Sequence, residues 1–207
     1  MGTFWGYFFP AGADLTDPKM REQCGARAGQ VGIGVNLLLF AVKLAIGLIS
    51  GAISIVADAL NNLSDAGSSL VMLLGFRIAA RPADPEHPFG HGRVEYLTGL
   101  FVAVVILFVG FQLLQSSVVK ILHPEDLAVD WVTGGVLLLS VFGKLALAHF
   151  YQIVGDRIQS AAIRAAAADS RSDCLATAAV LLSLILYVGT GWNVDGAAGA
   201  FVALFIL

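Results

Sequence analysis

The chain is divided into long apolar segments that are separated by short polar connections. A membrane-crossing helix needs about 20 mainly apolar residues. Five segments meet that length, at about 29–50, 53–80, 94–120, 128–153 and 161–189. A sixth begins near Val194 and reaches Leu207, which is too short to cross ~30 Å of hydrocarbon alone. We therefore predict an all-α membrane protein, a six-transmembrane-helix bundle whose sixth helix is truncated.

The composition agrees with burial in a lipid bilayer and argues against several other classes. Of 207 residues, 57% are hydrophobic and 13% are charged, whereas soluble domains average about 25% charged residues. The net charge of −3 leaves no basic stripe to neutralise phosphates, so we expect no nucleic-acid partner. Cys24 and Cys174 lack CxxC spacing, which argues against a disulfide framework or a zinc knuckle.

The basic residues predict how the chain is oriented. Residues 1–28 lack the positive start and long apolar core of a signal peptide, and we interpret them as a cytoplasmic or interfacial leader to a transmembrane domain over 29–207. Alternating spans place most basic residues on one side, which the positive-inside rule assigns to the cytoplasm together with the N-terminus. These residues are Lys19, Arg21, Arg27, Arg77, Arg81, Arg93, Arg157 and Arg164.

Polar side chains inside two of the spans are the strongest functional signal. A charged group at the bilayer centre costs about 2.5–3.5 kcal/mol on insertion scales, and such groups face a cavity, a partner or an ion. Asn61 and Asp65 are four residues apart in the second span, as are Asp169 and Asp173 in the fifth. Each pair shares a helix face, so two packed helices could form a four-ligand metal site.

A plainer interpretation treats these residues as helix ends at the membrane interface, paired with Arg164 or Arg171. Each pair lies at least one helical turn further into its span than the basic residues at the end of that span. The four-residue spacing also occurs in both spans, which favours a metal site. Two lysines lie deeper in other spans. Lys144 either extends to the interface or pairs with an acid, and Lys43 has no ready explanation.

A second cluster lies in the connection between the second and third spans. Asp84, His87 and His91 have the D-x2-H-x3-H spacing of a compact metal site with nitrogen and oxygen ligands. Histidines in a loop rich in proline and glycine are also common as plain polar surface. The residues alone leave both interpretations open.

Several segments resemble the cation diffusion facilitator family. They are residues 54–65, residues 81–95 with the pattern PADxxHPFGHGRxE, the Arg-Ser-Asp at 171–173, and Asp195. The resemblance covers about 29–207. It implies a homodimer with six transmembrane helices per protomer that exports divalent metals from the cytoplasm in exchange for protons. Such proteins usually continue into a cytosolic ferredoxin-like domain, which is absent from this sequence.

The resemblance also implies site residues and a cargo. Asn61, Asp65, Asp169 and Asp173 fall on the transport-site positions, and the three loop residues fall on an accessory site of some members. Zinc-transporting members typically carry Asp or His at position 61 and His at position 169. Here both are oxygen ligands, which suit manganese and resemble the manganese-exporting bacterial branch. We predict Mn²⁺ as cargo in a bacterial inner or plasma membrane, with Zn²⁺ or Fe²⁺ as alternatives and no prosthetic group.

The mechanism expected of such a site is proton–metal exchange. Three nearby carboxylates do not all stay ionised cheaply without a cation, so metal arrival releases protons and proton arrival releases metal. Asp169 is the candidate for the main proton carrier. The alternatives from other classes are a non-transporting metal sensor or scaffold and a membrane metalloenzyme. We do not expect an enzyme, because no HExxH or GxSxG motif occurs.

Overall fold

The chain forms an all-helical bundle in a computed structural model that describes residues 8–9, 15, 17–50, 53–123 and 131–207. Within these residues there are six α-helices and no strand, which confirms the predicted all-α membrane fold. The helices are α1 Pro18–Ser50, α2 Ile53–Ala79, α3 Val94–Leu122, α4 Trp131–Arg157, α5 Ala161–Thr190 and α6 Asp195–Ile206.

The first helix begins well before the span predicted from hydropathy at about residue 29. Proline suits the first position of a helix because its missing N–H has no partner there anyway, and α1 begins at Pro18. Cys24 and Ala28 are fully buried in the same core cluster as Met72 of α2. Helical hydrogen bonding continues through charged residues that end an apolar segment, so hydropathy places the start of α1 too late.

Part of the predicted leader also packs against the bundle. Residues 1–7, 10–14 and 16 lie outside the described residues. Phe8 is buried against the ring of Phe150, with 5.2 Å between ring centroids, and its carbonyl accepts a hydrogen bond from the Cys24 thiol at 3.1 Å.

Four helices are long and apolar enough to cross a membrane among the described residues, namely α1, α3, α4 and α5. The second helix falls short because Asp58, Asn61, Asn62 and Asp65 lower its hydropathy. The sixth helix has 12 residues. The predicted second span is therefore a helix whose polar face needs protein around it, as intramembrane polar residues generally do.

The helices pack mainly as α1 with α2, α4 with α5, and α3 with α6, while α5 also contacts α3. We call the end of the bundle with the 80–93 connection and the α4–α5 turn the loop end, and the end where α2, α4 and α6 begin the far end. Large apolar side chains cover the outer surface. Exposed examples are Leu97, Phe101, Phe108, Phe142, Leu182 and Phe205, as expected for a surface that faces lipid.

A buried core fills the half of the bundle near the loop end. A Cβ added at Gly29 of α1 would lie 2.8 Å from Leu73 Cβ and 3.1 Å from the Ser69 carbonyl oxygen of α2. Glycine therefore allows these helices to approach closely. The buried side chains beside this contact form a loop-end core of Cys24, Ala28, Met72, Phe76, Leu147, Phe150, Tyr151, Val154, Ile158, Ile163, Ala166 and Ala167, among others.

An arginine joins three elements across the loop end. Arg21 of α1 donates to both carboxylate oxygens of Glu95 on α3, at 2.9 and 3.0 Å. Its other terminal nitrogen donates to the Ile158 carbonyl in the α4–α5 turn at 2.6 Å. Hydrogen bonds between an ionised donor and a carboxylate are among the stronger polar contacts, so this residue holds the loop end together.

Candidate metal-binding site

The carboxylates predicted from helix periodicity come together between α2 and α5. Asp65 lies on α2, and Asp169 and Asp173 lie one turn apart on α5. One oxygen from each of the three lies within 4.8 Å of the others. We call these three residues the carboxylate cluster. Its side chains are only partly exposed, and oxygen ligands at this spacing suit a hard divalent cation.

Asn61, the fourth predicted ligand, lies one turn before Asp65 on α2. Both residues therefore share a helix face. The side chain of Asn61 is exposed to an internal cavity that Asp173 also lines. An amide oxygen is an uncharged donor of the kind that hard cations accept.

A lysine from a third helix contacts the carboxylate cluster. Lys144 of α4 donates to Asp65 Oδ2 at 2.5 Å and to Asp173 Oδ2 at 2.6 Å. Its side chain is 4% exposed, and each of the two carboxylates is 14% exposed. Of the two alternatives for Lys144, the structure supports pairing with an acid. Sequence reasoning had only one signal for this contact, a charged residue inside an apolar span.

The contacts of the basic residues disagree with the interfacial interpretation of the cluster. Arg164 pairs with Asp156 at 3.0 Å on the surface, and Arg171 is exposed. The cluster instead pairs with Lys144 inside the bundle, through Asp65 and Asp173.

A cavity of about 510 Å³ extends from the carboxylate cluster toward the far end. Its inner wall includes Lys144 and Asp173, and its outer wall includes Lys120 of α3 and Asp195 of α6. The last two form an ion pair at 2.6 Å. The cavity is large enough for a hydrated ion, because a water molecule occupies about 30 Å³ of liquid volume.

A second buried lysine lies on the wall of this cavity. Lys43 of α1 is paired with Asp58 at 2.8 Å and donates to Asn62 Oδ1 at 2.5 Å, both on α2. The side chain of Lys43 is 3% exposed. These contacts explain a lysine that the sequence left unexplained, and they fasten α1 to the polar face of α2.

Packed side chains separate the cluster from the loop end. One turn from Asp65, the Ser69 hydroxyl lies 3.3 Å from the Tyr151 hydroxyl, and both residues are buried. The loop-end core and the Arg21–Glu95 pair lie beyond them. The cluster therefore lies at the inner end of a cavity that reaches the far end, with the opposite half of the bundle closed.

The predicted loop residues also come together. His87 Nδ1 lies 3.1 Å from Asp84 Oδ1, and His91 Nε2 lies 3.5 Å from Asp84 Oδ2. One ligand atom from each lies within 4.8 Å of the others. The backbone N–H of His87 donates to the Asp84 carboxylate at 2.6 Å, and this bond holds the pKa of that carboxyl below its ordinary value. The Asp84 carboxyl is therefore ionised at neutral pH.

These features define a helical membrane protein with a carboxylate-lined internal site. The chain belongs to the cation efflux family, because the model of the cation efflux transmembrane domain matches residues 30–207. Members of this family are transporters, which confirms the prediction that the chain is not an enzyme.

Individual relatives agree with the family. The chain is 33% identical over 171 residues to an uncharacterised transporter of Methanocaldococcus jannaschii, covering 83% of the chain and 60% of that protein. It is 31% identical to the manganese efflux system protein MneS of Bacillus subtilis (78% and 56% covered) and 33% identical to the magnetosome protein MamM of Paramagnetospirillum magneticum (78% and 51%). The chain thus spans about half to three-fifths of the length of these relatives.

Proposed function

We propose that the chain is the transmembrane part of a proton-coupled exporter of divalent metal, with Mn²⁺ as its preferred cargo. The observation that carries this proposal is the carboxylate cluster at the inner end of a cavity. Asp65, Asp169 and Asp173 converge within 4.8 Å, and Asn61 lines the same cavity. Membrane-embedded carboxylates of this kind mark ion pathways.

The cargo preference follows from the ligand set. All four side chains offer oxygen, and carboxylate and carbonyl ligands suit Mn²⁺, whereas imidazole suits Zn²⁺. Two relatives are manganese efflux system proteins of Bacillus subtilis, while another is named a cation-efflux pump of Klebsiella pneumoniae. Because site geometry can override ligand type, Zn²⁺ and Fe²⁺ are the alternative cargoes that a test has to include.

Proton coupling follows from binding linkage. A dication favours the ionised form of each carboxylate, so metal binding releases protons and proton binding releases metal. An exchanger results if the cluster faces each side of the membrane in turn. The cavity toward the far end and the closed loop end correspond to one of the two required states, and opening the other side would require the Arg21–Glu95 pair to separate.

The direction of transport is part of the same proposal. Basic residues concentrate at the loop end, which the positive-inside rule assigns to the cytoplasm. Metal would then enter from the loop end and leave through the cavity at the far end, across a bacterial inner or plasma membrane. A homodimer remains our expectation from the family resemblance.

The test is metal uptake by liposomes that contain the purified protein and an acidic interior. We expect Mn²⁺ to enter as protons leave, with radioactive manganese and an internal pH dye recording both fluxes together. We also expect Zn²⁺ or Fe²⁺ to inhibit Mn²⁺ uptake only when either is in excess over Mn²⁺. Dissipating the gradient is the control. Metal binding without uptake would indicate a sensor or scaffold, and a preference for Zn²⁺ would contradict the cargo assignment.

The loop residues form a second candidate site, and its removal makes a separate prediction. Replacing Asp84 or His87 by Ala removes one ligand, so we expect one fewer bound metal ion per protomer and a transport rate lowered only a few-fold. The measurement is metal stoichiometry by elemental mass spectrometry after gel filtration. Glu86→Ala is the matched control, because it removes a neighbouring exposed acid that does not belong to the group Asp84, His87 and His91. Equal stoichiometry in all variants would contradict a loop site.

A further inference from the structure

Lys144 is bonded to the same carboxylates that the cargo would need. Its ammonium lies 2.5 Å from Asp65 Oδ2 and 2.6 Å from Asp173 Oδ2, and its side chain is 4% exposed. The residue comes from α4, whereas the carboxylates come from α2 and α5. One ammonium therefore joins all three helices through the candidate transport site.

The positions of the ammonium and of a bound dication conflict. A hard dication binds carboxylate oxygens at about 2.0–2.6 Å, close to the separation that the Lys144 nitrogen already has from these oxygens. A dication on Asp65 and Asp173 would therefore lie beside a like charge inside a low-dielectric bundle, where repulsion is strong. The two cations are consequently alternative occupants of the same oxygens.

The cavity can accommodate the displaced ammonium. Lys144 lines the cavity of about 510 Å³ together with Asp58, Asn62 and Ser140. A lysine has a flexible four-carbon stem that lets its charge move by several ångströms without backbone motion. Asp58 and Ser140, both among the lining residues, are the acceptors that we assign to the displaced ammonium.

We propose that Lys144 is a tethered cation that competes with the cargo for Asp65 and Asp173, and this inference rests on the proposed function. While the ammonium is bonded, it partly neutralises the cluster, so the carrier can change conformation without cargo at a smaller electrostatic cost. When metal arrives, the ammonium moves into the cavity. When metal leaves, the ammonium returns and opposes rebinding.

This role differs from that of the other lysines on the cavity wall. Lys43 pairs with Asp58, and Lys120 pairs with Asp195. Neither is among the salt-bridge partners of the carboxylate cluster in the described part of the chain. Lys120 lies at the outer wall, which makes it a matched control for the loss of one cavity lysine.

Displacement is measured on the unmodified protein. A small membrane-permeant acylating reagent labels exposed lysines, and mass spectrometry gives the extent at each position. We expect saturating Mn²⁺ to raise labelling of Lys144 several-fold as its ammonium enters the cavity, while labelling of Lys120 stays unchanged. Labelling of Lys144 that does not respond to Mn²⁺ would overturn the proposal, because the ammonium would then remain on the carboxylates.

Competition is measured with variants. We expect Lys144→Met to bind Mn²⁺ at least about tenfold more tightly, because a tethered competitor acts at a high effective concentration, and to turn over more slowly. A merely structural role would weaken binding instead. Lys144→Arg keeps the charge and should bind close to the wild-type affinity, and Lys120→Met should bind at the wild-type affinity.

The outcomes separate this inference from the proposed function. If the wild-type protein binds none of Mn²⁺, Zn²⁺ and Fe²⁺, the proposed function fails. If it binds metal but Lys144→Met binds no more tightly, only the competition by Lys144 is wrong. Tighter binding is also expected from simple charge removal, so the labelling experiment decides between a displaced ammonium and one that stays in place.

Discussion

Replacing Asp173 by Asn is expected to lower Mn²⁺ transport by at least about 100-fold, since even partners of metal ligands are worth about 10–100-fold in affinity. The substitution keeps the size of the side chain but removes one anionic oxygen ligand from the cluster. Lys144 keeps its contact with Asp65, so the three helices remain joined. Asp65→Asn should behave alike, because Lys144 then keeps Asp173. The measurement is the initial rate of uptake into liposomes at equal protein content.

The control for these variants is another carboxylate that takes part in an ion pair. Asp156 pairs with Arg164 at 3.0 Å on the surface at the loop end, and both side chains are nearly half exposed. Exposed pairs contribute about 0–1 kcal/mol, so Asp156→Asn should transport at the wild-type rate. Wild-type rates in Asp65→Asn or Asp173→Asn, with the protein monodisperse in detergent, would show that the cluster is not the transport site.

The carboxylate cluster could be predicted because it depends on local geometry. Residues four apart share a helix face whatever the helix packs against, so the pairs Asn61–Asp65 and Asp169–Asp173 follow from the sequence alone. The order of the helices along the chain follows from hydropathy, which also depends only on neighbouring residues and not on packing. What remained for the structure was the packing of α2 against α5.

The role of Lys144 could not be predicted from the residues. Its partners lie 79 and 29 positions away in the chain, and nothing local selects them from the other acids. Lys43 shows the same limit, since its contacts with Asp58 and Asn62 depend on how α1 packs against α2. Charged residues inside spans predict that a partner exists, whereas the identity of the partner depends on tertiary packing.

The start of α1 shows a different limit of hydropathy. An apolar segment ends where charged residues begin, but a helix continues as long as its backbone is hydrogen-bonded and one face is buried. Arg21 belongs to α1 and bonds to Glu95 and the Ile158 carbonyl. A residue that the sequence assigned to a leader is therefore part of the structure that closes the loop end.

Changing the ligand type at one position of the cluster should change the preferred cargo. In Asp169→His an imidazole replaces a carboxylate, and imidazole favours Zn²⁺ over Mn²⁺. We expect the ratio of Zn²⁺ to Mn²⁺ transport to rise by at least about tenfold, since ligand type and geometry set metal selectivity. Adding Asn61→Asp restores an anionic ligand, so the double variant should recover transport rate while keeping the zinc preference. Competition between the two metals in the liposome assay gives the ratio directly.

The matched control for this change is Asp169→Asn, which removes the charge without supplying a nitrogen ligand. It should transport both metals more slowly with the ratio unchanged, because all its ligands remain oxygens. The small pocket of about 20 Å³ beside Asp169 is lined by Asp173 as well as by Ile106, Val109 and Ile206, among others, so an imidazole that occupies it stays next to another carboxylate. A folded Asp169→His variant with an unaltered ratio would therefore show that selectivity is decided by residues outside the cluster.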